Sequence, residues 1–379
     1  MTAAKGAGQQ AIAVNVGSSS LKVTAFVREP GRPWQSLYRN WPLATAEAPE
    51  IAEFLAVAGI REHRLLCVAH RYVHGGAVLP RSAILDEPLL AQLEGTAALA
   101  PLHNPPALAW MHEFRALLPS TAQVAVADSA FFADLPEGAR RYPLPQELVS
   151  AQALRRYGFH GLAHSAMWRR WCEISGRSRG RLITLQLGAG CSAAAILDGR
   201  PLDTSMGFTP LEGMVMGRRA GDLDPGLLLY LLRNGGINAA KLDEILNRCS
   251  GLVALAGTDD MRELLAREDQ SAKLALDIFC RRARKYIGAY LAEMGGADAL
   301  VFSGGIGEHC PQVRAQILAP LAALGLQLDA ARNSAASAGE ADIGARDTGV
   351  GSAEIHVLPA DEARELLFNA ELLLQGEET

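Results

Sequence analysis

The chain of 379 residues has no long hydrophobic run, no excess of basic charge, no paired cysteines and no Walker-type phosphate loop. Each lack removes a class of function. The longest apolar stretch, Leu227–Leu232, is far shorter than the roughly 20 residues that span a bilayer. The N-terminal MTAAKGAGQQ carries one lysine, and the apolar run behind it is broken by Asn15, so no signal-peptide core is expected. A cytoplasmic chain without membrane contact is the expectation, with the first ten residues outside the ordered fold. A formal net charge of -5 and a pI near 6.0 leave no basic field for nucleic acid or anionic lipid, so neither is an expected partner. Cys67, Cys172, Cys191, Cys249, Cys280 and Cys310 are scattered without a CxxC pair, which argues against a zinc cluster or a disulfide framework. They read as small, mostly buried apolar side chains. With no G-x-x-x-x-G-K-[ST] present, a nucleotide would have to be held in another way.

What is present is enough apolar material, 49% of residues, for two cores, and one unusually dense polar stretch. Asp203–Pro225, DTSMGFTPLEGMVMGRRAGDLDP, carries Gly207, Gly213, Gly217 and Gly221, so it winds through turns instead of forming a long helix. Arg218, Arg219 and Asp222 crowd one end of it. An arginine fork on such a turn suits a two-oxygen anion such as a carboxylate or phosphate, the other reading being a charged surface loop.

Two hairpins repeat one logic. Ala11–Val16 and Leu21–Phe26 read as strands around Gly17-Ser18-Ser19-Ser20, whose hydroxyls and amides could meet a phosphate with Lys22 close by, or merely make the turn. Arg181–Leu187 and Ala193–Leu197 flank Gly188-Ala189-Gly190-Cys191-Ser192 in the same manner, which hints at a duplicated fold. Between them, a helix is expected at Ala48–Val57 after a surface stretch over Pro30–Pro42. A strand at Arg64–His70 delivers Arg71 and His74 to a Gly-Gly turn, the strand-end placement that α/β proteins give to ligands. A helix follows at Ala107–Leu117, and a strand at Gln123–Ala127 ends in Asp128, a possible oxygen ligand for magnesium or a cap. His160 and His164 stand four apart, a spacing compatible with a metal pair but unsupported by HExxH or a thiolate. Beyond Asp224 the pattern is mostly helical. There Ala275, Phe279, Ala283 and Ile287 with Leu274, Ile278, Tyr286 and Tyr290 form the apolar stripe, and Arg281, Arg282, Arg284 and Lys285 read as a solvated face. The strand Ala299–Phe302 ends in Ser303-Gly304-Gly305-Ile306-Gly307-Glu308, a turn whose amides could approach a nucleotide. A strand at Glu354–Leu358 and a final helix to about Leu374 close the chain.

The motifs VNVGSSSLK, HRYVHGG, LAPLHNPP, DSAF, RRYGFHG, DTSMGFTPLEG, GRRAGDLDP, FSGGIGE and PADE, in this order from about Ile12 to Glu362, resemble the acetate/propionate kinase family. The resemblance implies an α/β, two-domain actin/Hsp70/sugar-kinase (ASKHA) fold. Its N-terminal ribonuclease-H-like domain would cover 1–134 and be joined by the C-terminal helix at about 363–379. A second such domain over 135–362 would carry the nucleotide site and the homodimer interface. It further implies Mg²⁺-dependent, reversible transfer of the ATP γ-phosphoryl group to acetate, giving acetyl phosphate and ADP. By the same resemblance, Arg71, Asp128, His160 and Arg219 are the catalytic group, with Arg71 and Arg219 holding the carboxylate and the phosphoryl in flight. Asn15, Asp128 and Glu362 would position magnesium, and Arg71, Val73, Leu102, Phe159 and Pro210 would take the acyl substrate. Ser18, Ser20, Lys22, Gln186, Gly188, Ala189, Gly190 and Ser303, Gly304, Gly305, Ile306, Gly307, Glu308, His309 would face the nucleotide. A carboxylate acceptor is already ionised at neutral pH, so this chemistry calls for charge stabilisation and not for a general base.

Three departures fall on the nucleotide side. The family's HLGNG is Gln186-Leu187-Gly188-Ala189-Gly190 here, the Asn after GIGE is His309, and the His after DTAF is Phe132. They predict a slower enzyme or an altered phosphoryl donor. The alternative readings are a propionate or other short-chain carboxylate kinase, a kinase with a donor such as pyrophosphate, and a turnover-deficient nucleotide-binding homologue. Retention of Arg71, Asp128, His160, Arg219 and Glu362 speaks against the last.

Overall fold

Two six-stranded mixed sheets organise the chain in the computed structural model, which describes residues 8–337, 339–346 and 352–376. One compact unit takes the described residues up to Ala133 and again from Asp361; the other is Asp134–Ala360. The expected division at 134/135 and 362/363 thus falls one residue earlier at the first point and two earlier at the second. Glu362 belongs to the first unit.

In the first unit β1 (Gln9–Val16), β2 (Ser20–Arg28) and β3 (Gln35–Pro42) form an antiparallel meander. β4 (Leu65–Tyr72) and β6 (Gln123–Ala127) extend it in parallel with β1, and the short β5 (Ala83–Ile84) closes the edge in the order β3-β2-β1-β4-β6-β5. β6, parallel to β4 and antiparallel to β5, is buried at every position, the near-continuous pattern of a strand covered on both faces. Helices Asn104–Leu117 and Glu362–Gln375 pack on β1 and β4, and the core gathers Ile12, Val14, Val68, Tyr72, Met111 and Phe114.

The second unit repeats the plan with β7 (Arg181–Leu187), β8 (Cys191–Leu197), β9 (Arg200–Thr204), β10 (Ala299–Ser303), β11 (Ala341–Asp342) and β12 (Glu354–Val357). Its order, β11-β12-β10-β7-β8-β9, is the first sheet read from the other end, with β7, β10 and β12 parallel. The duplication suggested by the two hairpins is therefore present in the sheets themselves.

Several expectations change. Pro30–Pro42 holds the edge strand β3, exposed at seven of its eight positions, so no alternation marks it. Residues 1–7 lie outside the described residues, whereas Gln9 and Gln10 open β1. In the helix Gln270–Met294, Ala275, Phe279, Ala283, Ile287 and Tyr290 are buried as the stripe requires, but Leu274 is exposed. The basic run beside the stripe is only partly solvated. Arg282 donates to the Gly213 and Asp222 carbonyls of the 203–225 loop, and Arg284 to those of Gln316 and Ile317 in the last turn of the helix Pro311–Leu318. All six cysteines are free; Cys249 is exposed, Cys172 half-buried and the rest buried. Among the described residues no helix is long and apolar enough to cross a membrane.

Candidate active site

At the C-terminal ends of the parallel strands β1, β4 and β6, the first unit brings together Asn15, Arg71 and Asp128, and the start of the last helix adds Glu362. Arg71 grips Asp128 bidentately, Nε to Oδ1 at 3.0 Å and Nη2 to Oδ2 at 2.6 Å. Its Nη1 donates to Asn15 Oδ1 at 2.9 Å, and Asn15 Nδ2 donates to Glu362 Oε2 at 2.7 Å. Burial alone would disfavour the charged guanidinium, but the charges of Asp128 and Glu362 and the bonds to Asp128 more than offset it and hold Arg71 above the ordinary arginine pKa. Three of the five guanidinium N–H groups are engaged, which leaves two to meet an anion.

Two carboxylates, an amide oxygen and one guanidinium sum to a single net negative charge. That donor set fits a hard divalent cation that takes one or two carboxylates, several waters and a substrate phosphate. Among the described residues no group of three or more His, Cys, Asp or Glu side chains forms a complete cage, so such a cation would depend on those waters and phosphates.

The Gly17–Ser19 turn closes with Gly17 N donating to Ser20 O at 2.8 Å, leaving Ser18 exposed and Ser20 at the start of β2. The Lys22 ammonium, two residues past Ser20, lies 4.5 Å from the centroid of the Tyr38 ring on the neighbouring edge strand. Behind Arg71, Val73 is buried, and the peptide of His74 is clamped from both sides by Asn104. Asn104 Oδ1 accepts from His74 N at 3.2 Å and its Nδ2 donates to His74 O at 3.1 Å. Asn104 is fully buried and was not singled out from the sequence; the proline pair after it was the only signal. Leu102 is half-buried just ahead of it.

In the second unit the hairpin of β7 and β8 turns tightly, Gly188 N donating to Gly190 O at 3.0 Å, and Ala189 O accepts from Gly217 N at 3.1 Å. This backbone bond sets the loop carrying Arg219 beside the hairpin. A Cβ on Gly190 would stand 3.3 Å from His160 Cε1, 3.4 Å from His160 Nε2 and 3.8 Å from Arg219 Nη1, so the hairpin, the histidine and the arginine meet at one point. Arg219 is half-buried, and its Nη1 donates to Pro210 O at 3.3 Å. Among the described residues no carboxylate pairs with it. Burial pushes its pKa down from the ordinary arginine value.

The arginine fork is not what the loop builds. Arg218 is exposed and pairs with Asp259 at 2.7 Å. Asp222 accepts from Gly213 N at 2.8 Å and Tyr286 OH at 2.9 Å and pairs with Arg282 at 3.0 Å, making it a strut of the loop. Gly221, at φ +72, lies against the Gly213 and Met214 carbonyls where a Cβ would clash. A second strut, also missed in the sequence, is Glu212, held by Arg156 at 2.6 Å and by the Tyr142 hydroxyl.

His160 caps the helix Gly161–Ser175 in the left-handed region, φ 59 and ψ 28. It does not form a metal pair with His164, since both rings bond to Ser192 Oγ, at 2.9 and 2.7 Å. Phe159 is buried and Pro210 half-buried. Gln186 has its Oε1 buried with no hydrogen-bond partner. At the end of β10, Ser303 is buried and its Oγ accepts from Ala360 N at 3.0 Å. Glu308 Oε1 accepts from Gly304 N at 2.9 Å, capping the short helix Gly304–His309. Gly305 and His309 are exposed, Ile306 is half-buried, and Gly307 is buried.

A duplicated mixed-sheet plan with charged groups at the strand ends is that of the actin/Hsp70/sugar-kinase class, and solved structures agree. The acetate kinase of Porphyromonas gingivalis matches with a TM-score of 0.82 at 32% identity, covering 97% of this chain and 100% of that one. The propionate kinase of Francisella tularensis subsp. tularensis matches at 0.84 and 31%, covering 95% and 98%. Residues 49–366 match the Acetokinase family, and the acetate kinase of Streptomyces avermitilis is 40% identical over 362 residues, 93% of this chain and 87% of that relative. The chain belongs to the acetokinase family and is a phosphotransferase with a carboxyl group as acceptor.

Proposed function

We propose that the enzyme transfers the γ-phosphoryl group of ATP to acetate, reversibly and with Mg²⁺, giving acetyl phosphate and ADP. The observation that carries this reading is Arg219, a half-buried cation beside His160 and the Gly188–Gly190 turn that no carboxylate among the described residues pairs with. A guanidinium desolvated in this way is stabilised by an arriving anion, and the charge spread over a phosphoryl group in transfer is such an anion. His160 donates to the same oxygens. Arg71, steadied by Asp128, turns its two remaining N–H groups to the acyl carboxylate, and Val73 and Leu102 of the first unit with Phe159 and Pro210 of the second are assigned to the short acyl group by the family resemblance. Asn15, Asp128 and Glu362 hold magnesium or its waters, which when bound offset phosphate charge. The turns at Ser18–Lys22, Gln186–Gly190 and Ser303–His309 face the nucleotide, and the enzyme works in the cytoplasm as a homodimer.

The reading is tested by trapping the acyl phosphate with hydroxylamine after incubating purified protein with Mg²⁺, ATP and acetate, with Arg219→Ala alongside. Turnover that is lost in the variant is expected; absence of turnover with every acid and donor would overturn it. The match to a propionate kinase favours propionate as the second acceptor to assay. Gln186, in place of a residue that can become cationic, makes pyrophosphate the second donor to assay.

A further inference from the structure

Asn104 opens the helix Asn104–Leu117, has 0% exposure and spends its side-chain amide on the backbone of two other segments. Its Oδ1 accepts from His74 N at 3.2 Å, and its Nδ2 donates to His74 O at 3.1 Å and to Thr96 O at 3.1 Å. The place is one where β4 has run out of neighbours. Its pairing with β6 ends at Tyr72 and Ala127, followed by a bond from Asp128 N to Tyr72 O at 2.8 Å. Beyond that point the Asn104 amide does for His74 what a neighbouring strand would do, offering one acceptor and one donor to its backbone. The loop that carries Asn104 is itself closed. Asn104 N and His103 N both donate to Ala100 O, at 2.8 and 2.9 Å, which makes a turn around Leu102. The two segments also touch through Gly76, at φ +59, where a Cβ would stand 3.0 Å from Leu99 Cδ1. Val73 is thus one residue from the joint and Leu102 two residues from it, so neither has slack to move alone.

We propose that Asn104 is a positioning residue that sets the enzyme's selectivity for acyl chain length, its amide fixing the spacing of Val73 and Leu102. The inference rests on the reading that these two residues meet the acyl group. Arg71, two residues before Val73, has its own supports in Asp128 and Asn15, so loss of the clamp leaves the carboxylate grip in place and loosens the apolar wall beside it. An apolar pocket distinguishes acids that differ by one methylene by roughly 10- to 200-fold, and it does so only while its walls are held. Chain-length discrimination is therefore the property that a loosened clamp gives up.

The test compares acetate, propionate and butyrate in the hydroxylamine assay for the wild type, Asn104→Ala and Asn104→Asp. Asn104→Ala is expected to lower the ratio of kcat/KM for acetate to that for butyrate by roughly 10-fold, with KM for ATP changed by less than about 2-fold. Asn104→Asp has the same shape, keeps the acceptor for His74 N and has at most one donor, so its ratio should fall in the same direction but less. A role confined to stability would lower the thermal midpoint and leave the acid ratio where it was. Either variant, folded and with the wild-type ratio, overturns the proposal. The clamp is also read in the wild type by NMR: the Asn104 Nδ2 protons should outlast those of surface amides in D₂O by about 100-fold, and exchange at the surface rate overturns it whether or not a variant folds. A wild type that forms no acyl phosphate from any acid would instead remove the functional reading, and the exchange rate still decides the clamp.

Discussion

Adjacent arginines in one loop have opposite fates because their surroundings differ. Arg218 reaches solvent and is neutralised by Asp259, whereas Arg219 is turned inward against Pro210 O with no counter-charge. Arg219→Ala should therefore lower kcat/KM for acetyl phosphate formation by roughly 10² to 10³-fold, and Arg218→Ala by less than about 3-fold, in the hydroxylamine assay. Arg219→Lys should recover little, because an ammonium lacks the planar fork. Gln186 poses the converse case. Its buried Oε1 has no donor among the described residues, so that oxygen is left unsatisfied in the resting protein. Gln186→His, which puts back the residue the family usually carries, should raise kcat with ATP by about 10-fold; a lower rate would show that the amide is already the better donor.

At the scale of elements, strand pairs and loop struts carry groups whose titration and removal can be read in stability. His70 on β4 is buried against Gln123 on β6, with Nε2 and Oε1 2.7 Å apart. Burial lowers its pKa to about 4, the bond to Gln123 opposing the shift only in part. The folded pKa lies below the unfolded one near 6.5, so the unfolded chain takes up the proton first and stability falls as pH drops from about 6.5 to 4, by roughly 3 kcal/mol in all. His164 acts in the same direction. Thermal midpoints measured across that range should fall towards acid, and His70→Leu should flatten the slope. Asp222 secures the Arg219 loop through Gly213 N, Tyr286 OH and Arg282, and its partly exposed carboxylate makes the cost of its loss modest. Asp222→Ala should destabilise by about 1–2 kcal/mol and reduce kcat more than the stability change alone explains, as urea titration and assay together would reveal.

For the molecule as a whole, the helix Pro225–Asn234 has no buried residue, and Leu227, Leu229, Tyr230 and Leu232 are 40–61% exposed. The longest apolar run of the chain thus lies on an exposed helix whose apolar side chains stand out around its circumference, the kind of exposed apolar surface that accompanies interaction sites. The expected homodimer would cover it. Sedimentation equilibrium should give twice the monomer mass for the wild type and a shift towards monomer for Leu229→Glu; a wild-type monomer would remove the dimer from the reading.

Much of this protein was legible in its sequence because short-range physics decided it. The helix Ala48–Val57 and the strands Gln123–Ala127 and Arg181–Leu187 lie where pattern and turn residues put them, and the two hairpins announced the duplicated sheets. The residue types required by anion chemistry were also visible, as Arg71, Asp128, His160 and Arg219. Edge strand β3 was not, because a strand exposed along its length carries no alternation. Nor could residue type alone, without the family resemblance, separate Arg219 from the charges beside it. Arg218, Arg219 and Asp222 are nearly contiguous, and only the approach of Gly221 to the Gly213 carbonyl and of Gly217 to Ala189 turns Arg219 inward while Asp222 becomes a strut. The hydrogen-bonded contacts linking Thr184, His164, Ser192 and His160 were likewise beyond reach, since they join two strands and a helix across up to 32 positions and no local pattern encodes them. Residue types and periodicity set the elements and the available chemistry; burial and close packing between distant segments chose the partners.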